Sequence, residues 1–150
     1  MSLRRLLVTR PRADAERFAA ALRDLGIEPF IEPMFEIDRG DPAPLDLGDV
    51  QALLVTSRNG AAALAAATDR RDIAVFAVGN ASAETARQLG FAKVASAAGD
   101  AAALAAKVIS SLEPGDGALL HVAGKAVAGD LIGMLGAAGF TARRTVLYEA

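Results

Sequence analysis

Leu53-Leu54-Val55 followed by Thr56-Ser57-Arg58-Asn59-Gly60 is the stretch that most limits what this chain can become. An unbroken apolar run suits a strand covered on both faces, as in a parallel sheet layered between helices. Thr56 to Asn59 supply hydroxyl and amide groups that can cap a helix start, and Gly60 lets backbone come close to a ligand. Such a loop gathers N–H groups and the positive end of a helix dipole at one spot, where an anion is stabilised. The layout recurs at Leu6-Leu7-Val8-Thr9-Arg10-Pro11, at Val75-Phe76-Ala77-Val78-Gly79-Asn80-Ala81-Ser82 and at Leu119-Leu120-His121-Val122-Ala123-Gly124-Lys125. Four strand ends of one kind predict an open parallel sheet whose binding edge lies at the strand C-termini.

The rest of the chain alternates in the same way. After strand Leu6–Thr9, Ala15, Phe18, Leu22 and Leu25 recur at helical spacing and predict an amphipathic helix from about Pro11 to Leu25. Gly26 stops it, Ile27 follows as the apolar residue after a glycine cap, and Pro29–Ile31 reads as a short strand. The same punctuation returns at Gly90-Phe91 and Gly139-Phe140. Between Pro33 and Leu47 the composition turns polar and rich in turn formers, which places a boundary there. Beyond it come strand Val50–Val55, a helix from about Asn59 to Ala67, strand Ile73–Val78, helix Ala81–Leu89 and strand Ala92–Ala95. A helix with Leu104, Val108 and Leu112 on one face and Asp100 as its cap follows. Then come strand Ala118–Val122, a helix from about Ala126 to Ala138 burying Val127, Leu131, Met134 and Ala138, and strand Thr141–Tyr148.

The reading is therefore an α/β protein. Residues 48–150 form one complete three-layer, flavodoxin-like domain with a parallel five-stranded sheet. Residues 36–47 are a hinge or linker, and residues 1–35 are a β-α-β piece of a second, similar domain, too small to bury its own core.

Composition narrows the function. Sixteen basic against 18 acidic residues leave a net charge of −2, so no overall field draws in nucleic acid or a membrane surface, and an anion must be held locally. One Tyr, six Phe and no Trp argue against a stacking platform for single-stranded nucleic acid. Without cysteine there is no disulfide, thiolate nucleophile or cysteine metal site, which fits a cytoplasmic protein, and a single His excludes a multi-histidine zinc site. No signal peptide or membrane span is legible.

The candidate sites carry two readings each. Thr56 to Gly60 is either plain helix capping or an anion-accepting loop, and Asn80 and Ser82 pose the same choice. Arg10 and Lys125 read equally as solvated charges. Gly124-Lys125 is not a P-loop, because the position five before Gly124 is Leu119, and no dinucleotide fingerprint follows any strand. His121, inside an apolar strand, reads as a core histidine rather than a catalytic one.

Val8-Thr9-Arg10-Pro11, Val55-Thr56-Ser57-Arg58-Asn59-Gly60 and Val78-Gly79-Asn80-Ala81-Ser82-Ala83 stand in the order seen in uroporphyrinogen-III synthase. The closing stretch from Val122-Ala123-Gly124-Lys125 through Gly139-Phe140 to Val146-Leu147-Tyr148-Glu149 does too, and the chain as a whole resembles that family. The resemblance implies two similar α/β domains joined by a hinge that the chain crosses twice. It also implies cyclisation of hydroxymethylbilane with inversion of the last pyrrole ring and loss of water, in tetrapyrrole biosynthesis, without metal or cofactor.

Thr9, Arg10, Pro11, Thr56, Ser57, Arg58, Asn59, Gly79, Asn80, Ser82, Gly124 and Lys125 are the substrate-binding positions so implied. Tyr148 matches the tyrosine that assists departure of the hydroxyl; a phenol, ordinarily titrating near pH ~10, can donate at neutral pH. The alternative for Tyr148 is a hinge tyrosine that only packs. Against the family pattern most of the first domain is missing, so the chain reads as a truncated piece of a longer protein. It is expected to give no excess of the III isomer alone, and it has a route to self-association through residues 1–35 where the full-length family is monomeric. A non-catalytic flavin- or phosphate-binding module, or a regulatory partner-binding module, is the competing function class.

Overall fold

Leu53, Leu54 and Val55 have no solvent-exposed surface at all, and the architecture of residues 39–149 follows from that. The structure is a computed structural model and describes residues 4–10, 12–33, 45–124 and 129–148. Most of the polar linker, Pro11, Lys125, Ala126, Val127 and Glu149 lie outside the described residues. The chain divides into two compact units, one comprising residues up to Asp38 and the other Arg39–Glu149.

In the second unit the buried run forms strand β3 (Val50–Val55), after the first unit's β1 (Arg4–Val8), α1 (Arg12–Asp24) and β2 (Ile27–Ile31). It is followed by α2 (Arg58–Ala67), β4 (Ala74–Ala77), α3 (Asn80–Gln88), β5 (Val94–Ser96) and α4 (Ala101–Ser111). A 3-10 turn at Pro114–Asp116 leads into β6 (Ala118–Gly124), α5 (Leu131–Ala137) and β7 (Ala142–Tyr148). Every strand pairing among the described residues is parallel and the order is β5-β4-β3-β6-β7, which is 3-2-1-4-5 counted within the unit. The expected three-layer α/β domain with a parallel five-stranded sheet is present, and winding reverses between β3 and β6.

Alternation along the strands builds two cores. Leu53, Val55, Leu120 and Val122 pack with Ala61, Leu64, Ala83 and Ala86 of α2 and α3. Ala52, Leu54 and Leu119 pack with Leu104, Val108, Leu131 and Leu135 of α4 and α5. Alanine on the inner helix faces lets the helices approach the sheet closely. Ser57, Asp100 and Asp130 start α2, α4 and α5 by accepting from Gly60, Ala103 and Gly133 N–H at 2.9, 2.9 and 3.0 Å. Each such cap is worth ~1 kcal/mol. The glycine stops at 26, 90 and 139 all hold left-handed backbone, with φ of 73°, 99° and 93°.

Two expectations need correction. The helix expected from about Ala126 begins only at Leu131, because Gly129 is left-handed (φ 84°) and Asp130 caps the helix behind it. Leu131 and Leu135 are its buried residues; Met134 and Ala138 only flank the core. In α1 the buried stripe is Ala15, Ala19 and Leu22, while Phe18 and Leu25 are 36% and 74% exposed. Ala15 and Leu22 pack with Val8, Ile27 and Ile31 of the pair β1–β2, and Leu25 falls beyond the helix end.

Arg71 ties the ends of two helices together. Its guanidinium donates to the carbonyls of Ala65, Thr68, Arg70 and Leu89 at 2.6–3.1 Å and lies over the Phe91 ring at 4.7 Å. The carbonyls of Ala65, Thr68 and Leu89 are orphaned by the ends of α2 and α3. Arg71→Ala is therefore expected to lower unfolding free energy by ~1–3 kcal/mol. Arg71→Lys should recover less than half of that, since one ammonium cannot replace a divergent fork. Urea denaturation of the three proteins measures both.

Candidate functional site

An open parallel sheet binds ligands beyond the carboxyl ends of its strands, where the winding reverses. Here that place is the crevice between the ends of β3 and β6. Thr56 and Ser57 follow β3, and Gly124 ends β6. The Ser57 Oγ caps α2 through Gly60 N–H at 2.9 Å and lies 2.7 Å from the Tyr148 hydroxyl.

Tyr148 reaches Ser57 through two features of the backbone. The β6–β7 register shifts after Ala123: Ala123 pairs with Val146, but Gly124 pairs with Tyr148, leaving Leu147 as the extra residue. Such an irregularity re-aims the side chain that follows it. Gly124 then leaves room for the ring, since a Cβ there would stand 2.8 Å from Tyr148 Cε2. Gly60 is tight as well: a Cβ on it would stand 3.1 Å from the Val122 carbonyl and 3.3 Å from Ser57 Oγ.

On the α4/α5 side of the same strand ends, His121 is buried with 1% exposure, and its Nε2 lies 3.3 Å from Thr56 Oγ1. Burial, helped by the charge of neighbouring Arg144, pushes the imidazole pKa down to about 4, so it is neutral at pH 7. Arg144 pairs in register with His121 and donates to the Gly124 carbonyl at 2.8 Å. The structure thus brings together Thr56, Ser57, Gly60, Gly124 and Tyr148, with His121 and Arg144 behind them.

Other positions read from the sequence lie elsewhere. Arg58 and Asn59 are half-buried in the first turn of α2. Gly79 begins α3 after β4 without a side-chain cap, and the Asn80 carboxamide oxygen accepts from Ser96 Oγ at 2.7 Å. Ser82 is buried, with 6% exposure, on the inner face of α3, which leaves little of it to meet a ligand. Thr9 and Arg10 belong to the other unit, where both are exposed and Arg10 lies over Phe18 at 4.9 Å. Pro11 and Lys125 lie outside the described residues. Sequence reasoning missed Arg144 and the Thr56–His121 bond; paired arginines within the final strand were the available signal for the first.

A hollow of about 610 Å³ on β1 and β2, lined by Arg5, Leu6, Leu7, Glu28, Pro29 and Phe30, contains none of these positions. Among the described residues no group of three His, Asp or Glu side chains is placed to hold a metal, and no helix is long and apolar enough to cross a membrane.

The family model HEM4, described as uroporphyrinogen-III synthase HemD, matches residues 16–150. A uroporphyrinogen-III synthetase structure from Helicobacter pylori is similar at 19% identity and a TM-score of 0.61, over 99% of this chain and 62% of that one. A mutant uroporphyrinogen III synthase from the extremely thermophilic bacterium Thermus thermophilus is similar at 17% identity and a TM-score of 0.59, again over 99% and 62%. At such identity these structures speak to the fold, and the chain spans less than two thirds of their length. No curated protein matches the sequence.

Two measurements follow from the geometry. The folded state keeps His121 neutral down to about pH 4, whereas an unfolded histidine takes up a proton near 6.5. Its contribution is complete above pH ~6.5 and is lost as pH falls towards 4, by ~3 kcal/mol in all. Urea unfolding of wild type and His121→Leu should therefore show the wild type losing ground steadily between pH 7 and 4.5; parallel pH curves would contradict the assignment. Gly124→Ala should push the Tyr148 ring aside at a cost of ~1–3 kcal/mol. Near-UV circular dichroism reads the displacement, because the chain has one Tyr and no Trp.

Proposed function

The chain belongs to the uroporphyrinogen-III synthase family, and on that premise we propose that its strand-end crevice binds hydroxymethylbilane for ring closure with inversion of the last pyrrole ring. One water is lost: the bond from the terminal methylene to its hydroxyl breaks and the hydroxyl leaves with an added proton, while the last ring forms its new carbon–carbon bonds by giving up its old methylene bond and the proton on its free α-carbon. The observation that carries this reading is the Ser57–Tyr148 hydrogen bond of 2.7 Å at the reversal point between β3 and β6. It sets a phenol, the proton donor for the departing hydroxyl, beside the positive end of α2.

The substrate carries many carboxylates, and a chain of net charge −2 must hold them by local donors. Backbone N–H groups of the loop 56–60 and of the α3 start at 79–80 are suited to that, with Thr56, Arg58 and Asn59 beside them. Thr9 and Arg10 enter the reading through family resemblance alone. The two-domain hinge, a cytoplasmic location and a monomeric full-length protein belong to the same reading. No flavin-binding aromatic pair accompanies the crevice among the described residues, and nothing favours the flavodoxin-type module over the synthase.

Anaerobic titration calorimetry with uroporphyrinogen III tests the substrate class. Saturable binding is expected, weakened in Ser57→Ala by no more than ~1.5–3 kcal/mol because backbone donors dominate. No heat at any concentration would sink the reading. For the reaction itself, hydroxymethylbilane is fed to this chain and to one extended to the full length of the matched structures, and the isomers are separated by chromatography. The extended protein should produce the III isomer, more slowly but not at zero rate in Tyr148→Phe.

A further inference from the structure

Ser57 Oγ stands between two partners, accepting from Gly60 N–H at 2.9 Å and lying 2.7 Å from Tyr148 Oη. A serine oxygen has one hydrogen and two lone pairs, so with one lone pair occupied it can either donate to the phenol or accept from it. A phenol is by itself the more acidic hydroxyl, but cooperativity along this chain favours the opposite direction. A hydroxyl that already accepts from an N–H is polarised into a better donor, and hydrogen bonds running head to tail reinforce one another. The first donor here is a backbone N–H in the opening turn of α2, where the helix dipole adds positive potential. The reinforcing sequence runs from Gly60 N–H to Ser57 O–H to Tyr148 O–H.

We propose that Ser57 is a positioning residue that donates to Tyr148 Oη, so that the phenolic hydrogen faces away from Ser57 as the terminal donor of a chain beginning in the α2 backbone. The surroundings fix where the ring lies. The ring is packed against Gly124, with no space there for even one additional carbon, and a Cβ placed on Gly60 would stand 3.9 Å from the hydroxyl. Ser57, placed by family resemblance among substrate contacts, is by this inference committed to the protein and acts on substrate through Tyr148. The inference deepens the proposed function and rests on it for its catalytic meaning. The direction of the bond, however, is a property of the protein alone and is measured without substrate.

Tyr148 is the sole tyrosine and the chain has no tryptophan, so ultraviolet resonance Raman reads one phenol. Its Fermi doublet distinguishes a tyrosine that accepts a hydrogen bond from one that donates. Wild type should give the acceptor signature, and Ser57→Thr, which keeps both hydroxyl and cap, should reproduce it. Ser57→Asp also caps a helix well but, once ionised, offers only acceptor oxygens, so it should switch Tyr148 to the donor signature. A donor signature in wild type overturns the proposal, as does an acceptor signature that persists in Ser57→Asp. Should Ser57→Asp fail to fold, the wild-type and Ser57→Thr spectra still decide. Uroporphyrinogen III binding on the same samples separates the two claims: an acceptor signature without binding upholds the hydrogen-bond chain and defeats the synthase reading.

Discussion

Strand β3 is hydrogen-bonded on both edges and covered on both faces, and the site depends on that confinement. Its Leu53, Leu54 and Val55 each bury completely, a contribution of ~1.5–3 kcal/mol apiece. A strand so enclosed has no flank on which polar chemistry can be displayed. Hydroxyls and free backbone donors can stand only at its ends, and a helix that follows a strand begins at the strand's carboxyl end. Thr56 and Ser57 occupy that end, beside the reversal of winding.

What gathers at this edge is assembled from three strands. Ser57 comes from the end of β3, Gly124 from the end of β6, and Tyr148 from β7 after a one-residue slip in register. The slip and Gly124 are linked: without the slip the tyrosine is not opposite Gly124, and without Gly124 the ring has no place to lie. Behind them a neutral His121 meets Thr56, while Arg144 holds the last carbonyl of β6. Burial of an uncharged imidazole costs less than burial of its cation, which is why the histidine is tolerated in a strand buried throughout. The edge is thus organised by hydrogen bonds among hydroxyls, a neutral imidazole, backbone groups and one guanidinium, Arg144.

The first unit shows the contrast within one chain. Its β1 and β2 form a single parallel pair, and four of the five β1 residues are exposed, including Leu6 and Leu7. Its small core is Val8, Ala15 and Leu22. The same local alternation of strand, helix and strand opens the second unit, where further strands and helices bury β3 completely. Identical local patterns therefore reach very different burial according to how many neighbours the sheet supplies.

The sequence by itself determined what depends on near neighbours in the chain. Val50–Val55 was readable as a strand to both of its ends, Asp100 as a cap three residues before its N–H partner, and Gly26, Gly90 and Gly139 as helix stops, because each rests on contacts within a few residues. The loop at Thr56–Gly60 was legible for the same reason. Only the tertiary structure decided strand order, the inner face of α1 and the burial of Ser82. It alone joined Ser57 to Tyr148 across 91 residues and Thr56 to His121 across 65. Side-chain alternation tells which residues face a common layer, but not which strand lies next to which. That choice is made by packing helices over both faces of the sheet, and with it the meeting of hydroxyls at the strand ends.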